Sequence, residues 1–237
     1  MSAEPVIGVL AGCGGAGAST FAAVLAGCAG PPAFLLDCDP LGGGIDVLLG
    51  CEQLPGPRWG QVRLRGGPLD PQVLLSGLPC WHEVRFLAAD SQQQLTESGL
   101  ATVIDATARV APTVLDLPRT GSPARQTALE RCDLVVLVTP AELRGATAAA
   151  MIVPGLDERR TALVVRGGAR ALPAGRLSAL LGLPVLAELP YDPAGDHPDG
   201  LQMHRVRRRT RQAAMAVLRA CAQRRGEPVP PGGVDAA

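Results

Sequence analysis

Nine consecutive residues, Gly12-Cys13-Gly14-Gly15-Ala16-Gly17-Ala18-Ser19-Thr20, are of types suited to holding phosphate. Glycines let successive backbone N–H groups turn toward one point, and the first turn of a following helix favours an anion. Two chemistries fit the spacing. Gly12, Gly14 and Gly17 satisfy the dinucleotide fingerprint G-x-G-x-x-G. Gly12, Gly17 and Ser19 satisfy the phosphate-loop pattern G-x-x-x-x-G-K-[ST] everywhere but at its lysine, which is Ala18.

Residues farther along decide between them. In the phosphate-loop reading the Ser19 hydroxyl is placed to ligate Mg²⁺ and that of Thr20 to touch phosphate. The segment "LLDCDPLGGG" carries Asp37 and Asp39 on the same side of an extended chain, and "TVLDLP" adds Asp116. Three acids at strand ends around a glycine loop suit a magnesium–phosphate site, with Ser19, Asp37 and Asp116 as metal ligands and Asp39 as the catalytic candidate. The dinucleotide reading would use Asp37, about 20 residues beyond Gly17, for ribose. No hydride-transfer constellation accompanies it. Tyr191 is the one tyrosine, there is no lysine to pair with it, and His82, His197 and His204 lie in loop-like or charged contexts. The phosphate-loop reading accounts for more residues.

Composition narrows the setting. The chain has 237 residues and 47% hydrophobic content, enough for one α/β domain. No uncharged apolar run reaches the about 18 residues a transmembrane helix needs. No basic residue precedes the first apolar segment, so a secretory signal is not expected. Seven cysteines, with no C-x-x-C pair, argue against a disulfide framework or zinc site and for buried thiols in the cytoplasm. All 22 basic residues are arginine. Drift from lysine to arginine therefore does not explain Ala18, where arginine was not used either.

To serve one site, the loop and acids must be carried to a common edge. Apolar runs at 6–11, 33–37, 84–88, 113–117, 134–139, 161–166 and 184–188 read as strands. Helical patterns near 18–29, 92–108, 122–130, 141–152, 173–181 and 201–224 lie between or after them. Continuous apolar strands spaced by helices predict a single doubly wound, mostly parallel sheet with helices on both faces, spanning 1–225. Residues 51–82, rich in proline and glycine, read as loops around a short helix near 71–77, and 226–237 as a disordered tail.

With these motifs the chain resembles the MinD/ParA class of deviant Walker ATPases. The residues that carry the resemblance are "GCGGAGAST", "LLDCDPLGGGIDVLLG", "VLDLPR", "CDLVVLVTPAELRG" and "LPVLAELPYD". It is most similar to the CpaE/TadZ-like branch with its actinobacterial septum-site-determining proteins, a subgroup that "RWGQV" also resembles. CpaE-like relatives often carry an N-terminal receiver-like domain, whereas this chain opens on its first strand. The resemblance implies ATP/ADP and Mg²⁺ as cofactors, with the loop from Gly12 through Thr20 on the phosphates and Arg166 at the position that contacts adenine. It also implies a nucleotide-dependent homodimer and protein partners in a septum or pilus/secretion machinery, at the membrane only through those partners. The class has two loop lysines, at positions occupied here by Cys13 and Ala18. At most slow hydrolysis is expected. A pseudo-ATPase scaffold and an NAD-binding oxidoreductase stand as alternatives.

Residues 201–225 hold eight arginines and no acid, against a net charge of +0 for the chain. Val206, Ala213, Ala214, Val217, Leu218 and Cys221 form an apolar stripe, which predicts a helix packed on the sheet with a solvated basic face. If that face has a ligand, its mostly alanine apolar side makes non-specific DNA a better match than lipid.

Overall fold

The computed structural model of the chain describes residues 3–62, 69–89, 96–167 and 171–226. In chain order its elements are β1 (Val6–Ala11), α1 (Ala18–Cys28), β2 (Ala33–Asp37), α2 (Ile45–Leu49), α3 (Pro71–Gly77), β3 (Cys80–Trp81), β4 (Val84–Leu87) and α4 (Glu97–Thr107). There follow β5 (Thr113–Leu117), α5 (Pro123–Arg131), β6 (Leu134–Pro140), α6 (Leu143–Ala150), β7 (Thr161–Arg166), α7 (Ala174–Leu181), β8 (Val185–Leu189) and α8 (Arg208–Arg225).

The strands form one sheet in the order β3-β4-β2-β5-β1-β6-β7-β8. All neighbours are parallel except β3 and β4. Covering both faces with helices buries every side chain of a central strand, which is why these strands are apolar throughout. Along β1, Ile7 and Val9 enter one core with α1 and α8, while Val6 and Leu10 enter the other with α4. Helix α1 lies between sheet and α8, so small residues line it: Ala22, Ala23 and Ala26 are buried, and a Cβ on Gly27 would meet Met203 Sδ at 2.8 Å.

Parallel winding carries the ends of β1, β2 and β5 to one edge of the sheet. Asp37 and Asp116 are register partners on adjacent strands, and Val9 on β1 is opposite Asp116. The strand order reverses at β1, the place where open α/β sheets leave a crevice for ligands.

Several boundaries differ from the sequence reading. The pattern near 201–224 is a 3-10 turn at Met203–Arg205 followed by α8, which starts only at Arg208. Helix 141–152 ends at Ala150 and continues as a 3-10 turn at Val153–Gly155. Helix 92–108 is described from Glu97, and its first residues up to 95 lie outside the described residues. So does the tail beyond Gly226. Two elements had no sequence counterpart. Strand β3 is two residues long and owes its existence to antiparallel pairing with β4. Helix α2 is five residues between Gly44 and Gly50, and its end is held by the bond from Leu201 N–H to the Leu48 carbonyl, 2.8 Å.

Candidate nucleotide site

Between β1 and α1 the loop is fixed by close packing at one end and glycine geometry at the other. A Cβ on Gly12 would stand 2.9 Å from Thr139 Cβ, so a larger residue would push β1 from β6. Gly15 and Gly17 have φ of 71° and 86°, a region L side chains rarely adopt. In front of Gly14 and Gly15 there is open space. Gly17 caps α1 without any side-chain hydrogen bond. The first N–H groups of the helix therefore have no intrahelical acceptor and are available to an anion.

A cavity of about 340 Å³ opens over this loop, lined by Cys13 through Thr20 together with Asp39, Asp116 and Arg119. Beside it, Ser19, Asp37, Asp39, Asp116 and Gly42–Gly44 line a second space of about 320 Å³. The fold thus brings the loop, Ser19, Thr20, Asp39 and Asp116 around one cavity. Arg166, at the end of β7, reaches the rim, with Nη1 3.7 Å from where a Cβ on Gly17 would be. Ala18 is buried, at 6% exposure, where the phosphate-loop lysine is missing.

The acids differ in their surroundings. Asp37 is 2% exposed and accepts hydrogen bonds from the backbone N–H groups of Asp39 (3.1 Å), Ile45 (3.0 Å) and Ala89 (3.2 Å). The Trp59 indole donates to the Asp37 carbonyl at 2.7 Å and pins the end of β2 from below. Burial pushes the Asp37 carboxyl up to about 6, and the three N–H donors oppose the shift. Burial, with the charge of Asp37, pushes Asp116 up to about 7, while a hydrogen bond with Ser19 opposes it. Asp39 is half-buried and accepts from the Leu41 N–H at 3.1 Å.

These donors fit magnesium held partly by nucleotide. Among the described residues no group of three or more His, Cys, Asp or Glu is arranged to hold a metal. A phosphate-bound magnesium does not need one, since it keeps several waters and takes one or two carboxylates plus phosphate oxygens.

Arg119 was not among the candidates from sequence. The signal was present, a cation three positions past Asp116 on the strand that delivers it, but the turn through Pro118 has no periodicity to show where it leads. The C-terminal arginines divide. The Arg207 and Arg211 side chains donate to the carbonyls of Tyr191 and Met203, Arg224 to that of Arg159, and Arg225 pairs with Asp133 at 2.8 Å. Arg208 and Arg209 are exposed at the start of α8. The quartet 207, 208, 209 and 211 therefore does not form one free face, because two of its guanidinium groups bond the protein itself.

The sheet order, the loop after β1 and the acids at the ends of β2 and β5 define the MinD/ParA-type P-loop NTPase fold. Solved structures bear this out. A ParA family ATPase from Chlorobium tepidum superposes with a TM-score of 0.73 at 13% identity, covering 91% of this chain and 99% of that one. The septum site-determining protein MinD from Pyrococcus horikoshii, complexed with Mg-ADP, superposes at 0.70 and 16% identity, covering 93% and 98%. At the level of sequence, the uncharacterized protein Rv3660c of Mycobacterium tuberculosis, and its counterpart MT3760 in a second strain, are 40% identical over 193 residues, 79% of this chain. The chain spans about half the length of these curated relatives, 55%. No protein-family model matches the chain.

Proposed function

We propose that this chain is a MinD/CpaE-like spatial regulator, serving septum placement or a Tad-type pilus or secretion apparatus. Its degenerate phosphate loop binds ATP or ADP weakly with Mg²⁺ and hydrolyses slowly or not at all. The observation that carries this reading is the cavity in which a glycine loop without lysine faces Ser19, Asp39 and Asp116. In this reading Ser19 and Asp116 face the metal and Asp39 faces the terminal phosphate. Asp37 holds the β2 end and the Asp39 turn through its three backbone bonds, in place of the direct metal contact expected from sequence. The same bonds disfavour the NAD alternative, because the carboxylate that would hold a ribose is already engaged. Among the described residues no helix is long and apolar enough to cross a membrane, which fits a cytoplasmic protein that meets membranes through partners.

Losing a charged contact costs about 2–5 kcal/mol, or roughly 30- to 4,000-fold in affinity. Calorimetric titration of ATP, ADP and NAD⁺, each with and without Mg²⁺, tests the reading. The expected dissociation constants for ATP or ADP are about 10 µM to 1 mM with Mg²⁺, with no heat from NAD⁺. Sub-micromolar NAD⁺ binding with none for ATP would overturn it. Absence of all nucleotide binding would favour the second reading, a scaffold that Cys13 and Ala18 have deprived of nucleotide. Ala18→Lys should raise affinity without full turnover, since position 13 still lacks its cation. Fast turnover in the unmodified protein, abolished by Asp39→Ala, would show that hydrolysis survives without either lysine.

A further inference from the structure

Charge at the loop cavity is unbalanced for a phosphate ligand. Asp39 and Asp116 line it, both loop lysine positions are neutral, and the remaining lining residue with formal charge is Arg119. We infer that Arg119 supplies, from the same chain, the phosphate-facing cation that Cys13 and Ala18 do not. This rests on the nucleotide reading above and names the residue that makes it workable.

The position of Arg119 is built rather than incidental. Burial continues past Asp116 through Leu117 and Pro118, and the chain emerges at the carboxyl edge of the sheet with Arg119 exposed. The Arg119 carbonyl accepts a hydrogen bond from Arg125 Nη1 at 2.9 Å. Arg125 lies in the first turn of α5, where Ser122 caps its N–H at 3.1 Å. Backbone and helix thus hold the arginine beside the loop, while its own guanidinium, among the described residues, has no hydrogen bond or ion pair and is exposed. A planar guanidinium matches two phosphate oxygens at once, and it is always charged. Arg166 flanks the loop from the β7 side, with Nη1 3.7 Å from where a Cβ on Gly17 would stand, but it does not line the cavity itself, which leaves Arg119 as its lining cation.

The test compares the unmodified chain with Arg119→Gln and Arg119→Lys in calorimetric titrations of Mg-ADP and of inorganic pyrophosphate with Mg²⁺. Loss of the charge should weaken both ligands by about 10- to 100-fold, and Arg119→Lys should recover most of that. Because pyrophosphate has no base or ribose, an equal loss for both places the contact on phosphate. Melting without ligand should be the same for all three proteins. Arg119→Gln binding both ligands as tightly as the unmodified chain would overturn the role of Arg119 and leave the nucleotide reading standing. A lowered melting temperature in Arg119→Gln without ligand would make the residue structural and likewise overturn it. Failure of the unmodified chain to bind either ligand at millimolar concentration would overturn both.

Discussion

At the scale of single residues, the two raised carboxyls give the protein a pH dependence whose sign is fixed. Asp116 and Asp37 have folded pKa values of about 7 and about 6, against an ordinary 3.8. A carboxyl with a raised folded pKa favours the folded state while protonated. That contribution is complete below the unfolded value and is lost as pH rises through the folded one. Ligand-free protein should therefore lose stability between about pH 4 and pH 7, on the order of a few kcal/mol, as the pair is forced to ionise in a buried site. Asp116→Asn, which cannot ionise, should flatten the decline. Urea unfolding at intervals of one pH unit measures it. A flat profile in the unmodified protein would mean that both carboxyls ionise without penalty. The glycine spacing and the strand-end acids made most of this cavity readable from the chain, because each is a local pattern. The engagement of Asp37 was not readable, since two of its three donors, Ile45 and Ala89, come from segments whose approach only the fold determines.

Among elements, α8 shows how tertiary contacts set what local pattern leaves open. Its apolar stripe is where the periodicity put it, with Ala213, Ala214, Val217, Leu218 and Cys221 buried, while Val206, expected in the same stripe, is buried in extended backbone just before the helix. Its beginning is not. Arg208 and Arg209 occupy the first turn, where positive charge opposes the helix dipole, and no side chain of α8 caps it. Asp192 takes that role from another segment, accepting from the Arg207 N–H at 2.8 Å and the Thr210 hydroxyl at 2.6 Å. Asp192→Ala should cost about 1–2 kcal/mol in denaturant unfolding, the upper range for losing a cap. An unchanged midpoint would mean that Asp192 does not hold the helix start. The same contacts limit any nucleic-acid surface to Arg208, Arg209 and their exposed neighbours. If this end of α8 meets DNA, replacing Arg208 and Arg209 with glutamine should flatten the log–log salt dependence by about 2 and leave folding intact. No binding of duplex DNA by the unmodified protein at about 50 mM salt would remove DNA as a ligand of this helix. Strands β1, β2, β5 and β7 were legible to the residue because continuous apolar runs admit few other readings. Helix α2 and strand β3 were not, as five and two residues are too short for periodicity to register.

For the whole molecule, the arrangement of the two cores determines how ligand binding is felt. One core holds α1 and α8 against one face, the other holds α4 and α7 against the opposite face, and a single sheet belongs to both. The loop cavity sits at the edge of β1 and β5, whose alternate side chains enter one core and then the other: Val114 on one side, Leu115 on the other. Unfolding either core would strip one face of the strands that position the loop, so both should melt together and nucleotide should stabilise them as a unit. At about 50 times its dissociation constant, Mg-ADP should add about 2.3 kcal/mol. For a domain of this size that corresponds to a rise of about 5–9 °C in melting temperature. Scanning calorimetry should show one transition, displaced as a whole by Mg-ADP, less by ADP with chelator, and not by NAD⁺. Two transitions, of which only one moves, would mean that the cores unfold separately and that the shared sheet does not couple them.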